Sequence, residues 1–308
     1  MKINKVGILG MGAIGGLLAA QIYDYNPQSV YILGEQKRIK RYQDEGWITV
    51  NGKDYDFTGL SPEASQTLDL IILSVKYHHL EKAIPLMKPF MNENTIIISL
   101  MNGIDTENEI GAVYGMEKLL YSFIVEISAV KKGKKITANK GKIVFNSLIP
   151  NDKKVTALSE FFNRTQIIYE IADDIMKEIW WKFMINVGVN QVSAVLDAPY
   201  GKCQKIDEIR ELMDGAMKEV IALSKLEGAN LTREDLMRWY PILDALNPDG
   251  MTSMLQDMRG KRKTEVEMFA GVVSRLGKKH KLPTPVNDIL YQLIKAKEEI
   301  IANQTLID

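Results

Sequence analysis

Short apolar runs alternate with helix-like segments in the first half of the chain. The runs are Val6 to Leu9, Ser29 to Leu33, Leu68 to Val75 and Thr95 to Leu100, and the residues from Leu80 to Met87 have helical spacing. Strands that are apolar on both faces and alternate with helices are typical of a parallel sheet covered by helices on both sides. The pattern predicts an α/β domain with a doubly wound sheet.

A second group of runs extends this pattern toward the middle of the chain. Leu119 to Ile127 and Gly141 to Leu148 are predicted strands, with the charged segment Lys131 to Lys135 as a turn between them. Asp152 to Arg164 then has helical spacing, and Gln166 to Ile171 is the last strand-like run. These elements complete the predicted α/β domain.

From Asp173 onward the apolar spacing is helical almost to the end of the sequence. A change from alternating elements to helices alone indicates a domain boundary, and 308 residues exceed the usual size of one hydrophobic core. We therefore predict an α/β domain over residues 1–172 and an all-helical domain over residues 173–308.

Composition and charge narrow the class of protein. The 39 basic and 39 acidic residues leave no net charge, so neither a nucleic-acid surface nor a basic membrane-binding face is indicated. The single cysteine, Cys203, excludes an internal disulfide and favours a reducing compartment, where we expect a packed thiol. No run of 18 apolar residues occurs, and the apolar stretch near Met1 is too short for a signal peptide. We expect a soluble cytoplasmic protein that acts on small molecules.

A glycine-rich turn follows the first predicted strand. Gly10, Gly12 and Gly15 form the pattern G-x-G-x-x-G, and helix-forming apolar residues continue from Leu17 to Ile22. In such a unit the first glycine permits the tight turn, the second lets the backbone approach a pyrophosphate, and the third lets the helix pack on the strand. The pyrophosphate then lies on the N–H groups at the positive end of the helix. We therefore predict a Rossmann-type domain whose cofactor-binding turn consists of Gly10, Met11, Gly12, Ala13, Ile14 and Gly15.

The residues after the second predicted strand bear on the choice of cofactor. Glu35 lies 20 residues after the last glycine of the turn, where an acidic side chain accepts hydrogen bonds from the adenosine ribose and repels a 2′-phosphate. This position favours NAD. The competing signal is basic: Lys37, Arg38, Lys40 and Arg41 could bind the phosphate of NADP, although such a run at a helix start is also typical of a solvated face.

Polar residues follow two further predicted strands, at the ends where ligands bind in such sheets. Lys76 can contact cofactor or substrate oxygens as a cation, and Asn102 can both donate and accept hydrogen bonds to a ribose or a carboxamide. His78 and His79 are most simply an exposed helix start. No H-x-x-x-H or C-x-x-C spacing indicates a metal, so we expect none.

A polar stripe interrupts the most apolar segment of the helical half. Lys182, Asn186 and Asn190 are spaced by four residues, so an ammonium and two amides share one face of an apolar and aromatic helix. Buried polar groups without partners cost roughly 1 to 3 kcal/mol each, so the stripe indicates a binding site or a wet interface. The alternative is structural: the asparagines bridge neighbouring helices and Lys182 extends to water.

A turn later in the helical half precedes a second candidate group. Asn247 to Gly250 leads into a helix start at Ser253, whose hydroxyl and neighbouring N–H groups can bind a carboxylate. Glu265 returns an acidic group twelve residues later.

Taken together, these motifs resemble those of the ketopantoate reductases (2-dehydropantoate 2-reductases). They are G-M-G-A-I-G at Gly10 to Gly15, S-V-K at Ser74 to Lys76, N-G at Asn102, K-x-x-x-N-x-x-x-N at Lys182 to Asn190, and S-M-L-Q-D with T-E from Ser253 to Glu265. The resemblance extends over the whole chain. It implies a Rossmann-type domain followed by a helical domain, a nicotinamide cofactor, a 2-oxo acid substrate and a homodimer formed through the helical domain.

The same resemblance implies a role for each candidate. Lys182 is the implied general acid, and Glu265 is the implied partner that orients the substrate and the lysine. The implied substrate contacts are Asn186, Asn190, Ser253 and Lys76. The implied residues beside the nicotinamide and its ribose are Lys76 and Asn102.

Three departures favour one branch of the family. Members that use NADP generally end the second strand with arginine, where this chain has Gly34 and Glu35. Ketopantoate enzymes commonly have N-P-L-T-A where Asn190 here leads into Q-V-S-A, and Tyr200 replaces the asparagine usual before Gly201. Losing that amide removes a polar partner for the terminal hydroxyl of ketopantoate and favours a substrate with an apolar side chain. The chain looks more like the NAD-dependent D-2-hydroxyacid dehydrogenases of the D-mandelate type.

The main hypothesis is therefore hydride transfer between NADH and a branched or aromatic 2-oxo acid, giving the D-2-hydroxy acid. The alternative is NADPH-dependent reduction of ketopantoate to D-pantoate in coenzyme A synthesis. A third hypothesis is a nicotinamide-sensing protein without turnover. The lysine, the two asparagines, the serine and the glutamate disfavour it, because a sensor needs no proton donor.

Overall fold

The computed structural model describes residues 1–64 and 66–304. The chain forms two compact units, Met1–Ile175 and a second unit that begins at Met176. Strands and helices alternate in the first unit, and the described part of the second is helical. The predicted fold class, a Rossmann-type α/β domain followed by a helical region, is confirmed.

The described residues of the first unit contain two sheets and five α-helices. The strands are β1 (Val6–Leu9), β2 (Val30–Leu33), β3 (Ile48–Val50), β4 (Lys53–Tyr55), β5 (Thr58–Leu60), β6 (Leu70–Leu73), β7 (Ile96–Ser99), β8 (Leu119–Val125), β9 (Ala129–Lys132), β10 (Lys135–Ala138), β11 (Lys142–Asn146) and β12 (Ile168–Ile171). The helices are α1 (Ala13–Tyr25), α2 (Gln36–Glu45), α3 (Leu80–Met87), α4 (Thr106–Tyr114) and α5 (Lys153–Thr165).

The large sheet has the order β12-β11-β8-β7-β6-β1-β2-β5. Every neighbouring pair in it is parallel except β8 and β11. All residues of β1, β6 and β7 are buried, because helices cover both faces of a parallel sheet. The chain leaves β1 toward β2 on one side and leaves β6 toward β7 on the other, so the strand order reverses between β1 and β6. Ligands of such sheets bind at that reversal, outside the carboxyl ends of the strands.

A second, four-stranded sheet with the order β4-β3-β10-β9 was not predicted. The charged segment expected to be a turn is mostly strand: Lys131 and Lys132 lie in β9, Lys135 lies in β10, and only Gly133 and Lys134 form the turn. These strands have three or four residues each, and β3 pairs with β10 across more than 80 positions of sequence. Such short, distant pairings leave little periodicity to detect.

The second unit begins at the second residue of α6 (Ile175–Ile185). Its further helices are α7 (Gln191–Leu196), α8 (Tyr200–Lys205), α9 (Asp207–Leu226), α10 (Arg233–Met237), α11 (Tyr240–Ala245), α12 (Ser253–Arg259), α13 (Ala270–His280) and α14 (Pro285–Gln304). None of the helices described is both long and apolar enough to cross a membrane.

A π-helical turn, Asn186–Asn190, joins α6 to α7. Helix α9 packs directly on this turn at Gly188, where an added Cβ would lie 2.5 Å from the Cε of Met217 and 3.2 Å from the carbonyl oxygen of Met213. A side chain at this position would force the side chain of Met217 to move and would lie tightly against the backbone of α9.

Candidate functional site

The glycine turn after β1 has two positions at which packing requires glycine. Gly10 has a φ of +114°, and a Cβ on it would lie 2.2 Å from the carbonyl oxygen of Ser74. A Cβ on Gly15 would lie 1.9 Å from the carbonyl oxygen of Gly10. Both approaches are far inside van der Waals contact, so α1 can pack on the turn only without these side chains.

Gly12 differs from its two neighbours. Its φ of −71° suits any residue, and the nearest atom to an added Cβ, the carbonyl oxygen of Ser74, lies 3.9 Å away. Packing therefore does not require glycine here, and the missing side chain leaves open space. Gly12 is also the N-cap of α1, where no side chain caps the helix and no acidic residue lies in the first turn. Open space beside the positive end of a helix fits the pyrophosphate of a dinucleotide.

The other predicted cofactor residues lie at the same edge of the large sheet. Glu35 follows β2, is exposed, and starts α2 without capping it through its side chain. Lys76 follows β6 and Asn102 follows β7, and both are half-buried. Because β2, β1, β6 and β7 are parallel neighbours, their carboxyl ends place these residues and the glycine turn along one edge.

Lys131 is a further residue at this edge that the sequence did not identify. Its Nζ, carried by β9 of the second sheet, donates a hydrogen bond to the carbonyl oxygen of Met11 within the glycine turn. Burial lowers the pKa of Lys131, and the nearby cations Arg38 and Arg41 lower it further. The side chain of Arg38 lies beside the end of β2, with its Cδ 3.7 Å from the point where a Cβ on Gly34 would lie. Glu35 therefore has basic residues close to its end of the cofactor site.

In the helical unit, three of the predicted residues form a chain of hydrogen bonds. The Nδ2 of Asn190 donates to the Oδ1 of Asn186 over 3.0 Å, and the Oγ of Ser253 donates to the Oδ1 of Asn190 over 3.1 Å. The backbone N–H of Met254 also donates to that Asn190 oxygen, over 3.3 Å. Asn190 is only 7% exposed whereas Ser253 is exposed, so this contact joins the buried π-helical turn to the surface at the start of α12.

The Nδ2 of Asn186 is buried and has no hydrogen-bond partner among the described residues. A buried amide N–H without a partner costs roughly 1 to 3 kcal/mol, so its retention points to a ligand that accepts its hydrogen bond. Lys182 lies one turn earlier, in α6, and is half-buried. Glu265 lies between α12 and α13 and is 7% exposed.

Tyr200 holds the turn that precedes α12. Its backbone N–H donates to the carbonyl oxygen of Gly250 over 2.9 Å, and its ring lies so close to Gly250 that a Cβ there would be 2.9 Å from the Cδ2. Burial raises the pKa of the Tyr200 hydroxyl. Three residues further on, Cys203 is fully buried and burial raises the pKa of its thiol, as expected for a packed rather than a reactive cysteine.

Comparison with known proteins agrees with this architecture. The family profile described as Ketopantoate reductase PanE/ApbA matches residues 6–148, and Ketopantoate reductase PanE/ApbA C terminal matches residues 174–298. The 2-dehydropantoate 2-reductase of Aquifex aeolicus (strain VF5) is 28% identical over 305 residues, covering 96% of this chain and 97% of that protein. The enzyme of the same name from Lactococcus lactis subsp. lactis (strain IL1403) is 25% identical, covering 96% and 99%.

Solved structures share the fold at lower identity. The ternary structure of D-mandelate dehydrogenase with NADH and anilino(oxo)acetate superposes with a TM-score of 0.88 at 23% identity, covering 97% of this chain and 99% of that one. A dimeric ketopantoate reductase from Staphylococcus aureus superposes with a TM-score of 0.79, also at 23% identity, covering 96% and 99%.

The fold thus defines a Rossmann-type α/β protein with a helical C-terminal region. With both profiles matched along the chain, the protein belongs to the ketopantoate reductase family of oxidoreductases.

The glycine turn allows a direct test of the cofactor site. We expect Gly15→Ala to lower the free energy of unfolding by about 3 kcal/mol or more, because the new methyl meets a backbone carbonyl that cannot move aside. Gly12→Ala should leave stability nearly unchanged but weaken NADH binding by about tenfold or more, because its methyl fills the space beside the helix end. Urea unfolding and fluorescence titration with NADH measure the two effects. If Gly12→Ala bound NADH as tightly as the parent protein, the prediction that the pyrophosphate binds at this turn would be wrong.

Proposed function

We propose that the protein transfers a hydride from NADH to the carbonyl carbon of a 2-oxo acid with a branched or aromatic side chain, giving the D-2-hydroxy acid. The observation that carries this proposal is the hydrogen-bonded chain of Asn186, Asn190 and Ser253, which runs from a buried, unpartnered amide N–H at Asn186 to an exposed serine, with a lysine one turn away. Hydrogen-bond donors beside a lysine suit a carboxylate and an adjacent carbonyl.

In the proposed mechanism Lys182 is the proton donor. A carbonyl that receives a hydride develops negative charge on its oxygen, and the Nζ of Lys182 donates a proton there. Glu265 orients the lysine and the substrate. The Oγ–H of Ser253 can turn from Asn190 to the substrate carboxylate, since the N–H of Met254 also binds that Asn190 oxygen. When bound, the nicotinamide supplies the hydride.

Two observations support an apolar substrate side chain. The aromatic ring of Tyr200 packs on the turn that leads to Ser253, where an amide would offer a polar partner instead. In addition, the solved structure with a TM-score of 0.88 to this chain is that of D-mandelate dehydrogenase with NADH and anilino(oxo)acetate. For NADH in particular, the support is the exposed Glu35 at the end of β2.

The second candidate is NADPH-dependent reduction of 2-dehydropantoate. The curated relatives described above carry that name. Arg38 and Lys131, at the same edge of the sheet as Glu35, supply the cations that a 2′-phosphate needs.

We further propose a homodimer formed through the helical unit. Ile289, Leu293 and Ile300 are 58%, 44% and 57% exposed and are spaced by four and seven residues along α14, so they share one face of that helix. The related Staphylococcus aureus ketopantoate reductase is described as dimeric.

A comparison of kcat/KM values separates the candidates. We expect 2-oxoisocaproate or phenylglyoxylate with NADH to exceed ketopantoate with NADPH, because Tyr200 and Glu35 disfavour the latter pair. A preference for ketopantoate with NADPH by about tenfold or more would establish the second candidate instead. Tight NADH binding without oxidation across a panel of 2-oxo acids would identify a sensor.

Glu35→Ala tests the proposed cofactor choice. Repulsion between an exposed carboxylate and a phosphate amounts to about 1 kcal/mol, so this variant should raise kcat/KM with NADPH relative to NADH by roughly three- to tenfold. Glu45→Ala removes an exposed carboxylate at the other end of α2 and serves as the matched control. An unchanged cofactor ratio in Glu35→Ala would place its carboxylate away from the adenosine ribose.

Lys182→Ala tests the proton donor. We expect kcat to fall by about 10²- to 10⁴-fold, the usual span for loss of a general acid, with NADH affinity nearly intact. Lys177→Ala, on the same helix but paired with Asp235 over 3.2 Å, is the control and should keep kcat near that of the parent. If folded Lys182→Ala kept kcat within a few-fold, the proton would come from water or from Lys76.

A further inference from the structure

The turn Asn186–Asn190 of the helical unit is π-helical rather than α-helical. A π turn inserts an extra residue into a helix and occurs mostly as single turns inside longer helices, often at functional sites. Here both of its terminal residues are asparagines of the proposed substrate site. An ordinary α-helix would present Asn190 in another direction. The proposed substrate site therefore depends on the contacts that hold the π turn.

Gln191, the residue directly after the turn, is fully buried. Its Nε2 donates to the carbonyl oxygen of Val187, inside the π turn, over 2.7 Å. The same Nε2 donates to the Oδ1 of Asn287 over 3.1 Å, and the Oε1 accepts from the backbone N–H of Ala270 over 3.1 Å. Both N–H donors and the oxygen of this one amide are therefore used.

The partners of Gln191 are themselves fixed. Asn287 is fully buried, and its Nδ2 donates to the carbonyl oxygen of Ala216 over 3.2 Å and to the Oε2 of Glu219 over 2.7 Å. The Glu219 carboxylate also accepts from the backbone N–H groups of Val286 and Asn287, at the start of α14. Gln191 thus lies at the end of a buried network anchored on α9 and α14.

The two backbone groups that Gln191 binds belong to the two segments that carry the proposed site. Val187 lies between Asn186 and Asn190. Ala270 begins α13, separated from Glu265 by the 3₁₀ turn Val266–Met268. One side chain therefore hydrogen-bonds both to the turn of the two asparagines and to the first residue of the helix that follows Glu265.

We propose that Gln191 is a positioning residue, whose amide keeps the π-helical turn in register with the segment that carries Glu265. The inference rests on the proposed function for the roles of Asn186, Asn190 and Glu265. Without the amide, the carbonyl of Val187 and the N–H of Ala270 lose buried partners, and the turn relaxes toward regular helix.

Gln191→Leu is the first test, compared with Ser224→Ala. Ser224 is also fully buried, and its Oγ donates to the carbonyl of Ile221 and accepts from the N–H of Leu231, so its variant also loses buried hydrogen bonds. Gln191→Leu should lower kcat with a 2-oxo acid by about 10- to 100-fold, which is the effect of displacing active-site groups by about 1 Å. Ser224→Ala should leave kcat near that of the parent. A crystal structure of Gln191→Leu should show the π turn lost and the contact between Ser253 and Asn190 broken.

Gln191→Glu gives a readout that a purely structural role would not change. A buried carboxyl has a raised pKa, and its protonated form can still donate to the Val187 carbonyl, whereas its carboxylate cannot. Activity of this variant should therefore be high at low pH and fall as the pH rises through that pKa, a fall absent from the parent. This variant also keeps the proposal testable if Gln191→Leu does not fold.

The outcomes separate this inference from the proposed function. A parent enzyme that reduces no 2-oxo acid overturns the proposed function, while the crystal structure of Gln191→Leu still tests the positioning role. If Gln191→Leu keeps the π turn, or keeps kcat and KM within about twofold of the parent, the positioning role is wrong. A pH profile of Gln191→Glu that matches the parent overturns it as well.

Discussion

The close approach of α1 to the turn after β1 is the constraint on which the α/β half depends. The carbonyl oxygen of Gly10 occupies the place where a side chain on Gly15 would begin, so the helix can lie there only because residue 15 is glycine. Gly10 must be glycine for another reason, its φ of +114° and its close approach to the carbonyl oxygen of Ser74. This contact brings the positive end of α1 to the carboxyl edge of the sheet, beside the ends of β2, β6 and β7. The second sheet supports the arrangement from outside: Lys131 holds the Met11 carbonyl, and Ile48 and Ile136 pack so closely on Gly16 that a Cβ there would lie within 3 Å of both.

The helical half depends on a different constraint, the satisfaction of buried polar groups. Asn186, Asn190 and Gln191 lie in a segment otherwise composed of buried apolar residues, where each unmet hydrogen bond costs on the order of 1 to 3 kcal/mol. The structure meets nearly all of these bonds with distant partners on α12, α13 and α14. The exception is the Nδ2 of Asn186, which is buried without a partner among the described residues and is the group that the proposed substrate would bind.

Charged side chains of both signs lie at the edge of the large sheet that is proposed to bind the cofactor. In the proposed function Glu35 repels a 2′-phosphate, whereas the side chain of Arg38 lies over the end of β2 and Lys131 binds the glycine turn from the second sheet. At Gly34, where β2 has ended, the Cδ of Arg38 lies 3.7 Å from the point that a Cβ would occupy. In the proposed function, the preference for NADH or NADPH depends on which of these charges lies nearer the adenosine ribose.

Local patterns in the sequence determined most of the first unit. The glycine turn and the strands with near-continuous apolar runs were predicted correctly, and α3 has the predicted bounds Leu80–Met87, because burial on both faces and helical spacing are recorded in neighbouring residues. The stripe of Lys182, Asn186 and Asn190 was predicted from its spacing of four residues, which is also a local pattern.

Tertiary structure alone decided the rest. The strands of the second sheet are too short to show a period, so the contact of Lys131 with Met11, 120 positions apart, had no local signal. The spacing of Asn186 and Asn190 predicted regular helix, yet the turn between them is π-helical. Gln191, the next residue, hydrogen-bonds to the side chain of Asn287, 96 positions away. Hydrogen bonds between distant segments depend on where folding brings those segments, and no periodicity along the chain records that.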